Sequence, residues 1–116
     1  IDAKNKGAAV INMSYGGTQF SSMENDAVQA AFQADVVLVA SAGNENSDNS
    51  VTAKFPVNYD NVVGVGASDQ NDARAEFSNY GTYVDITAPG VAILSTTNES
   101  NSSYGELQGT SMSSPR

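Results

Sequence analysis

Two short, continuous apolar runs separated by a helix-like segment constrain the fold of this chain most strongly. The first covers residues 8–13 and ends at Ser14-Tyr15-Gly16-Gly17, and the second runs from Asp35 to Ala40 between turn residues. Runs of this length that are rich in β-branched residues favour strands covered on both faces, as in a parallel sheet. Between them, Ser21-Ser22-Met23-Glu24 fits a capping box, and the apolar residues behind it predict a helix over residues 22–33. This order predicts a right-handed crossover between two parallel strands.

The rest of the chain predicts further strands over residues 61–67, near 83–87 and around 91–95. Glycines at 64 and 66 invite close approach by another backbone or a helix. Pro89-Gly90 predicts a turn, and residues 96–107, rich in Asn and Ser, predict a loop. Residues 1–4 look like the end of a helix, and residues 112–116 look like the first turn of one. We therefore expect an α/β fold, a doubly wound and mostly parallel sheet with helices on both faces.

Composition excludes several classes of function. The chain has 116 residues and a formal net charge of -8, and its five basic residues form no cluster. Nucleic acid and membrane surfaces are therefore not expected partners, because both attract basic patches. The absence of cysteine excludes disulfides and thiol catalysis.

One serine stands out as a candidate nucleophile. Ser111 lies in the run Gly109-Thr110-Ser111-Met112-Ser113-Ser114-Pro115-Arg116, between a glycine and a predicted helix start. A serine hydroxyl attacks a carbonyl only when a base takes its proton. The chain contains no histidine, so we expect the activating base to lie outside these residues. The alternative role for Ser111 is a helix cap.

Asn44 follows the second predicted strand, at the sheet edge where open α/β sheets bind ligands. Its side chain offers a neutral N–H donor to a developing negative charge. The alternative is a turn residue, because Gly-Asn pairs commonly end strands.

Three segments taken together resemble the subtilisin-like serine proteases, or subtilases. They are Ile11-Asn12-Met13-Ser14-Tyr15-Gly16-Gly17, Ala42-Gly43-Asn44 and the run around Ser111, in that order and across nearly the whole chain. The resemblance implies that residues 1–116 are a single partial domain, the C-terminal portion of a subtilase catalytic domain truncated at both ends. It also implies a serine endopeptidase in which Ser111 is the nucleophile and Asn44 binds the oxyanion.

The resemblance implies further roles and partners. An extended peptide or protein substrate would pair with the edge formed by Ser14, Tyr15 and Gly16. Four residues, Ala40, Ser41, Ala42 and Gly43, would contribute one wall of the specificity pocket, with Glu45 at its rim favouring a basic or polar group. No cofactor is required, and a weak structural cation, calcium or sodium, would use the carbonyls of Val57, Tyr59 and Val62. Secretion is expected from the resemblance.

The resemblance has one gap. The catalytic Asp and His of the family belong to segments that this chain does not contain, so the chain by itself is expected to be inactive. Arg116 replaces the usual His after the Ser-x-x-Pro pattern, a position outside the triad.

Two rival functions remain open. The first is a peptide-binding or adhesion module that kept the sheet and lost the chemistry. The second is a complete hydrolase that uses Lys54 or Lys6 as its base, since Ser-Lys pairs exist in other enzymes.

Overall fold

A parallel sheet of four strands forms the centre of the computed structural model, which describes residues 1–116. The strands follow chain order across the sheet, and each adjacent pair is parallel; they are β1 (Val10–Met13), β2 (Val37–Ser41), β3 (Val63–Ser68) and β4 (Ile86–Pro89). The helices are α1 (Asp2–Asn5), α2 (Ser22–Gln33) and α3 (Thr110–Ser113). The predicted α/β class is confirmed. None of the helices combines the length and the apolar character that a membrane crossing requires.

Helix α2 begins where the capping box predicts and covers the predicted residues 22–33. Ser21 is its N-cap, and the Ser21 hydroxyl accepts a hydrogen bond from the Glu24 N–H at 3.2 Å. The helix buries Val28 and Ala31 in a cluster that also contains Leu38 and Ala40 of β2. Full burial of a Val or Leu side chain contributes about 1.5–3 kcal/mol, so this helix is held mainly by its apolar face.

Helix α3 lies against the opposite face of the sheet. Ala40 pairs with Gly64, so residue 64 shares the face that α2 covers, and Ala67, three residues on, points the other way. A Cβ added to Gly90 would clash with both Ala67 and Ser113 of α3. Helices therefore cover both faces, as predicted.

The close approach expected at the glycines of β3 is present at Gly64. A Cβ there would clash with the Tyr83 carbonyl and with Val57 at 2.8 Å. Only glycine allows the loop before β4 to cross the sheet at this point.

The prediction is wrong in one region and shifted in others. Residues 96–107 are not all loop, because β6 (Tyr104–Leu107) pairs antiparallel with β5 (Ile93–Thr96). Strand β4 starts at Ile86 because residues 81–84 form a turn in which the Val84 N–H donates to the Gly81 carbonyl at 3.1 Å. Pro89 ends β4 rather than standing in a turn, and α3 starts at Thr110 rather than at Met112.

Candidate active site

Ser111 lies in α3 and contacts the loop that follows β1. Its hydroxyl donates to the Ser14 carbonyl at 3.2 Å, and the Ser14 hydroxyl donates to the Ser111 carbonyl at the same distance of 3.2 Å. The Asn12 amide donates to the Ser14 hydroxyl at 2.8 Å. These bonds fix the half-buried serine against the loop after β1 while leaving its hydroxyl on the cleft described below.

Thr110 orients the side chain of Asn44. The Thr110 N–H and the Thr110 hydroxyl both donate to Asn44 Oδ1 at 2.9 Å, and Thr110 is only 1% exposed. The Thr110 hydroxyl also accepts from the Gly43 N–H at 3.1 Å. Because these donors occupy Oδ1, Asn44 Nδ2 is the free donor of the side chain.

Two N–H donors border one small space beside Gly109. A methyl group built on Gly109 would stand 3.5 Å from Asn44 Nδ2 and 3.8 Å from the Ser111 backbone nitrogen. The Ser111 N–H belongs to the first turn of α3, where N–H groups have no acceptor within the helix. Gly109 also has φ of 150°, a conformation that side chains rarely adopt. The geometry can thus offer two hydrogen bonds to a single oxygen next to the Ser111 hydroxyl.

A cleft of about 150 Å³ opens at this point, at the carboxyl ends of β1 and β2. Its lining residues are Ser14, Tyr15, Gly16, Ser41, Ala42, Gly43, Asn44, Glu45, Lys54, Phe55, Thr110 and Ser111. All the predicted site residues line it except Ala40. Ala40 is fully buried in the core beneath the cleft, so its assignment to the pocket wall is corrected.

Glu45 and Lys54 form an ion pair on the wall of the cleft. Lys54 Nζ contacts Glu45 Oε1, while Glu45 Oε2 accepts from the Asn44 N–H at 2.6 Å and from Asn79 Nδ2 at 3.5 Å. Burial by itself would raise the pKa of Glu45, but the hydrogen bonds from Lys54, the Asn44 N–H and Asn79 bring it below its ordinary value. The resemblance implies a preference for a basic or polar group beside Glu45, and in the structure this carboxylate is paired with Lys54.

No basic side chain of this chain contacts the Ser111 hydroxyl. Lys54 pairs with Glu45, and Lys6 pairs with Asp2 at 3.1 Å on the surface. Burial and the nearby Glu24 carboxylate raise the pKa of Tyr15, so this phenol remains neutral at physiological pH. The structure therefore gives no support to a lysine base.

Comparison with known proteins decides the family. The sequence profile described as the subtilase family matches residues 1–116, the whole chain. The chain belongs to the subtilase family.

Known subtilases are similar to this chain in sequence and in structure. A thermophilic serine proteinase from Bacillus sp. (strain AK1) is 46% identical over 115 residues, which are 99% of this chain and 27% of that protein. Subtilisin DY from Bacillus licheniformis is 44% identical over 114 residues, 97% of this chain and 41% of that protein. A solved protease structure from Pseudoalteromonas arctica superposes with a TM-score of 0.85 at 41% identity, covering 93% of this chain and 36% of the other. The chain thus spans well under half the length of these subtilases.

Sequence reasoning missed three residues of this subtilase site. Thr110 was treated only as part of the serine motif, although it determines the orientation of Asn44. Gly109 was treated as a turn, although it keeps the space between the donors open. The sequence points to Lys54 only as a candidate base. Its charge is opposite to that of Glu45, but this signal is weak because eight residues separate the two.

The predicted cation ligands are backbone carbonyls that the chain leaves free. The carbonyl oxygens of Val57, Tyr59 and Val62 accept no hydrogen bond from the protein. No group of three or more His, Cys, Asp or Glu side chains stands close enough to hold a metal ion elsewhere in the subtilase chain.

Proposed function

We propose that this chain is the C-terminal portion of a subtilase catalytic domain and that the whole protein is a serine endopeptidase. Ser111 Oγ attacks the carbonyl carbon of a peptide bond, and the amine product leaves with a proton as the acyl-enzyme forms. Water then hydrolyses the ester and releases the second product. The observation that carries this proposal is the pair of N–H donors, from Asn44 and Ser111, that border one space beside the Ser111 hydroxyl.

The groups in this chain stabilise charge but do not move the proton. As the carbonyl oxygen becomes anionic, Asn44 Nδ2 and the Ser111 N–H hydrogen-bond to it, and fixed donors of this kind need no reorganisation during the reaction. The base is a histidine, oriented by an aspartate, from segments of the domain outside this chain. An extended peptide pairs with the edge at Ser14, Tyr15 and Gly16, a form of strand addition, and one of its side chains enters the cleft.

Several properties of the whole protein follow from this proposal. It acts on peptide or protein substrates and is secreted, and its chemistry requires no cofactor. A calcium or sodium ion at the carbonyls of Val57, Tyr59 and Val62 would serve stability rather than catalysis.

The test is covalent labelling and hydrolysis by the full-length protein. A fluorophosphonate should attach to the peptide that contains Ser111, and the Ser111→Ala variant should neither be labelled nor hydrolyse casein beyond a residual rate. Asn44→Ala should retain labelling at a reduced rate and lower kcat by about 10²- to 10³-fold, the size known for an oxyanion-hole asparagine in subtilisin itself.

Asn46→Ala is the matched control for Asn44→Ala. Asn46 is also exposed, but its side chain accepts a hydrogen bond from Arg74 at 2.9 Å and does not line the cleft. Its kcat should equal that of the wild type. If the wild type binds extended peptides without cleaving them or taking the label, the adhesion-module alternative holds instead.

A further inference from the structure

One wall of the cleft carries a cation whose side chain is largely buried. The Lys54 side chain is 15% exposed, and it lines the same cleft as Ser111 and Asn44. In a peptide bound with its scissile carbonyl at Ser111, the adjoining side chain enters this cleft. That side chain therefore meets Lys54.

The ion pair leaves Lys54 with unused hydrogen-bond donors. Both oxygens of Glu45 have protein partners, since Oε1 contacts Lys54 and Oε2 accepts from the Asn44 N–H. A lysine ammonium carries three N–H donors, and Glu45 Oε1 is the acceptor within reach of Nζ in this chain. The cleft thus presents free N–H donors beside a carboxylate whose two oxygens both have protein partners.

We infer that Lys54 determines specificity, and that the cleft selects a substrate residue before the cleaved bond whose side chain ends in an oxygen acceptor, namely glutamate or glutamine. This inference rests on the proposed function. An acceptor oxygen would replace the water that the Lys54 donors lose when the cleft fills. A leucine would leave those donors unpaired, and a lysine would place a second cation beside the first.

The experiment measures kcat/KM of the full-length protein on four peptides that differ only in the residue before the cleaved bond, which is Glu, Gln, Leu or Lys. We expect Glu and Gln to exceed both Leu and Lys by about 10-fold or more, the factor that one unpaired buried donor typically costs. Lys54→Met should abolish this advantage by lowering the Glu and Gln values relative to Leu. Lys54→Arg keeps the charge and should retain the Glu advantage over Lys.

Lys6→Met is the matched control, because Lys6 is also ion-paired but its side chain is 76% exposed and lies outside the cleft. It should leave the order of the four peptides unchanged. A wild type that prefers Leu or Lys, or a Lys54→Met variant with an unchanged order, overturns the inference while leaving the endopeptidase intact. Failure of the wild type to cleave any peptide contradicts the proposed function, and the inference falls with it.

Discussion

At the scale of single residues, Thr110 determines which end of the Asn44 amide is available for chemistry. An asparagine amide presents either an acceptor or two donors, depending on its rotation. Both donors of Thr110 hold Oδ1, so the nitrogen is left for a substrate oxygen. Thr110, next to Ser111, therefore orients the Asn44 amide, which is far away in sequence.

Two fully buried serines give opposite expectations for stability. Ser78 and Ser113 are both 0% exposed, but the Ser78 hydroxyl accepts from the Ala67 N–H at 2.9 Å and donates to the Asn79 carbonyl at 3.0 Å. The Ser113 hydroxyl has no partner. An unpaired buried polar group carries its desolvation cost without compensation.

We predict that Ser113→Ala leaves the free energy of unfolding of the full-length protein unchanged or raises it. Ser78→Ala should lower it by about 1–3 kcal/mol, because the Ala67 N–H loses its acceptor. Urea unfolding of both variants checks the pair. A larger loss at Ser113 than at Ser78 would show that the Ser113 hydroxyl has a partner, such as a bound water.

At the scale of elements, helix α2 depends on its first turn as well as on its apolar face. Ser21→Ala removes the acceptor for the Glu24 N–H and should lower the free energy of unfolding by about 1 kcal/mol. Ser22→Ala, one residue later and also exposed, removes no cap and is the control. Equal losses in thermal unfolding for the two variants would contradict a capping role for Ser21.

The elements also show what sequence patterns can and cannot predict. The capping box predicted the start of α2 because its signal is local, and the helical spacing of the apolar residues behind it predicted how far the helix extends. The short apolar runs predicted β1 and β2 because β-branched residues favour strands. Strand β6 was missed because its Tyr104 and Leu107 are 68% and 46% exposed, so no buried pattern marks it. Its pairing with β5 depends on the turn between them.

Only the site residues that lie in recognisable sequence motifs could be predicted from the sequence. Ser111 and Asn44 stand in recognisable segments, and the structure brings both to one cleft. The pairing of Lys54 with Glu45 depends on how a loop folds back over the sheet, and no periodicity encodes that path. The resemblance placed Ala40 in the wall, but its side chain is fully buried in the core.

At the scale of the whole molecule, the proposed function divides the catalytic groups along the protein sequence. This chain supplies a hydroxyl and two N–H donors, while it contains no histidine. Its subtilase relatives are longer, since the chain covers 27% of one and 41% of another. The proposed proton transfer therefore requires a base outside residues 1–116.

We predict that the polypeptide of residues 1–116 gives no burst of acyl-enzyme with an activated ester substrate, because nothing removes the proton of Ser111. Stopped-flow absorbance of the released leaving group checks this, with the full-length protein as the positive control. A burst stoichiometric with the polypeptide would mean that a base is present within it.

The central claim is that a carbonyl oxygen turning anionic at Ser111 is held by Asn44 and by the Ser111 backbone together. The most direct measurement is a crystal structure of the full-length protein with a peptide boronate, whose tetrahedral boron mimics that intermediate. The account predicts a bond from Ser111 Oγ to boron, with one boronate oxygen about 2.7–3.1 Å from both Asn44 Nδ2 and the Ser111 nitrogen. A boronate bound elsewhere, or bound at Ser111 with no oxygen near Asn44, would contradict it.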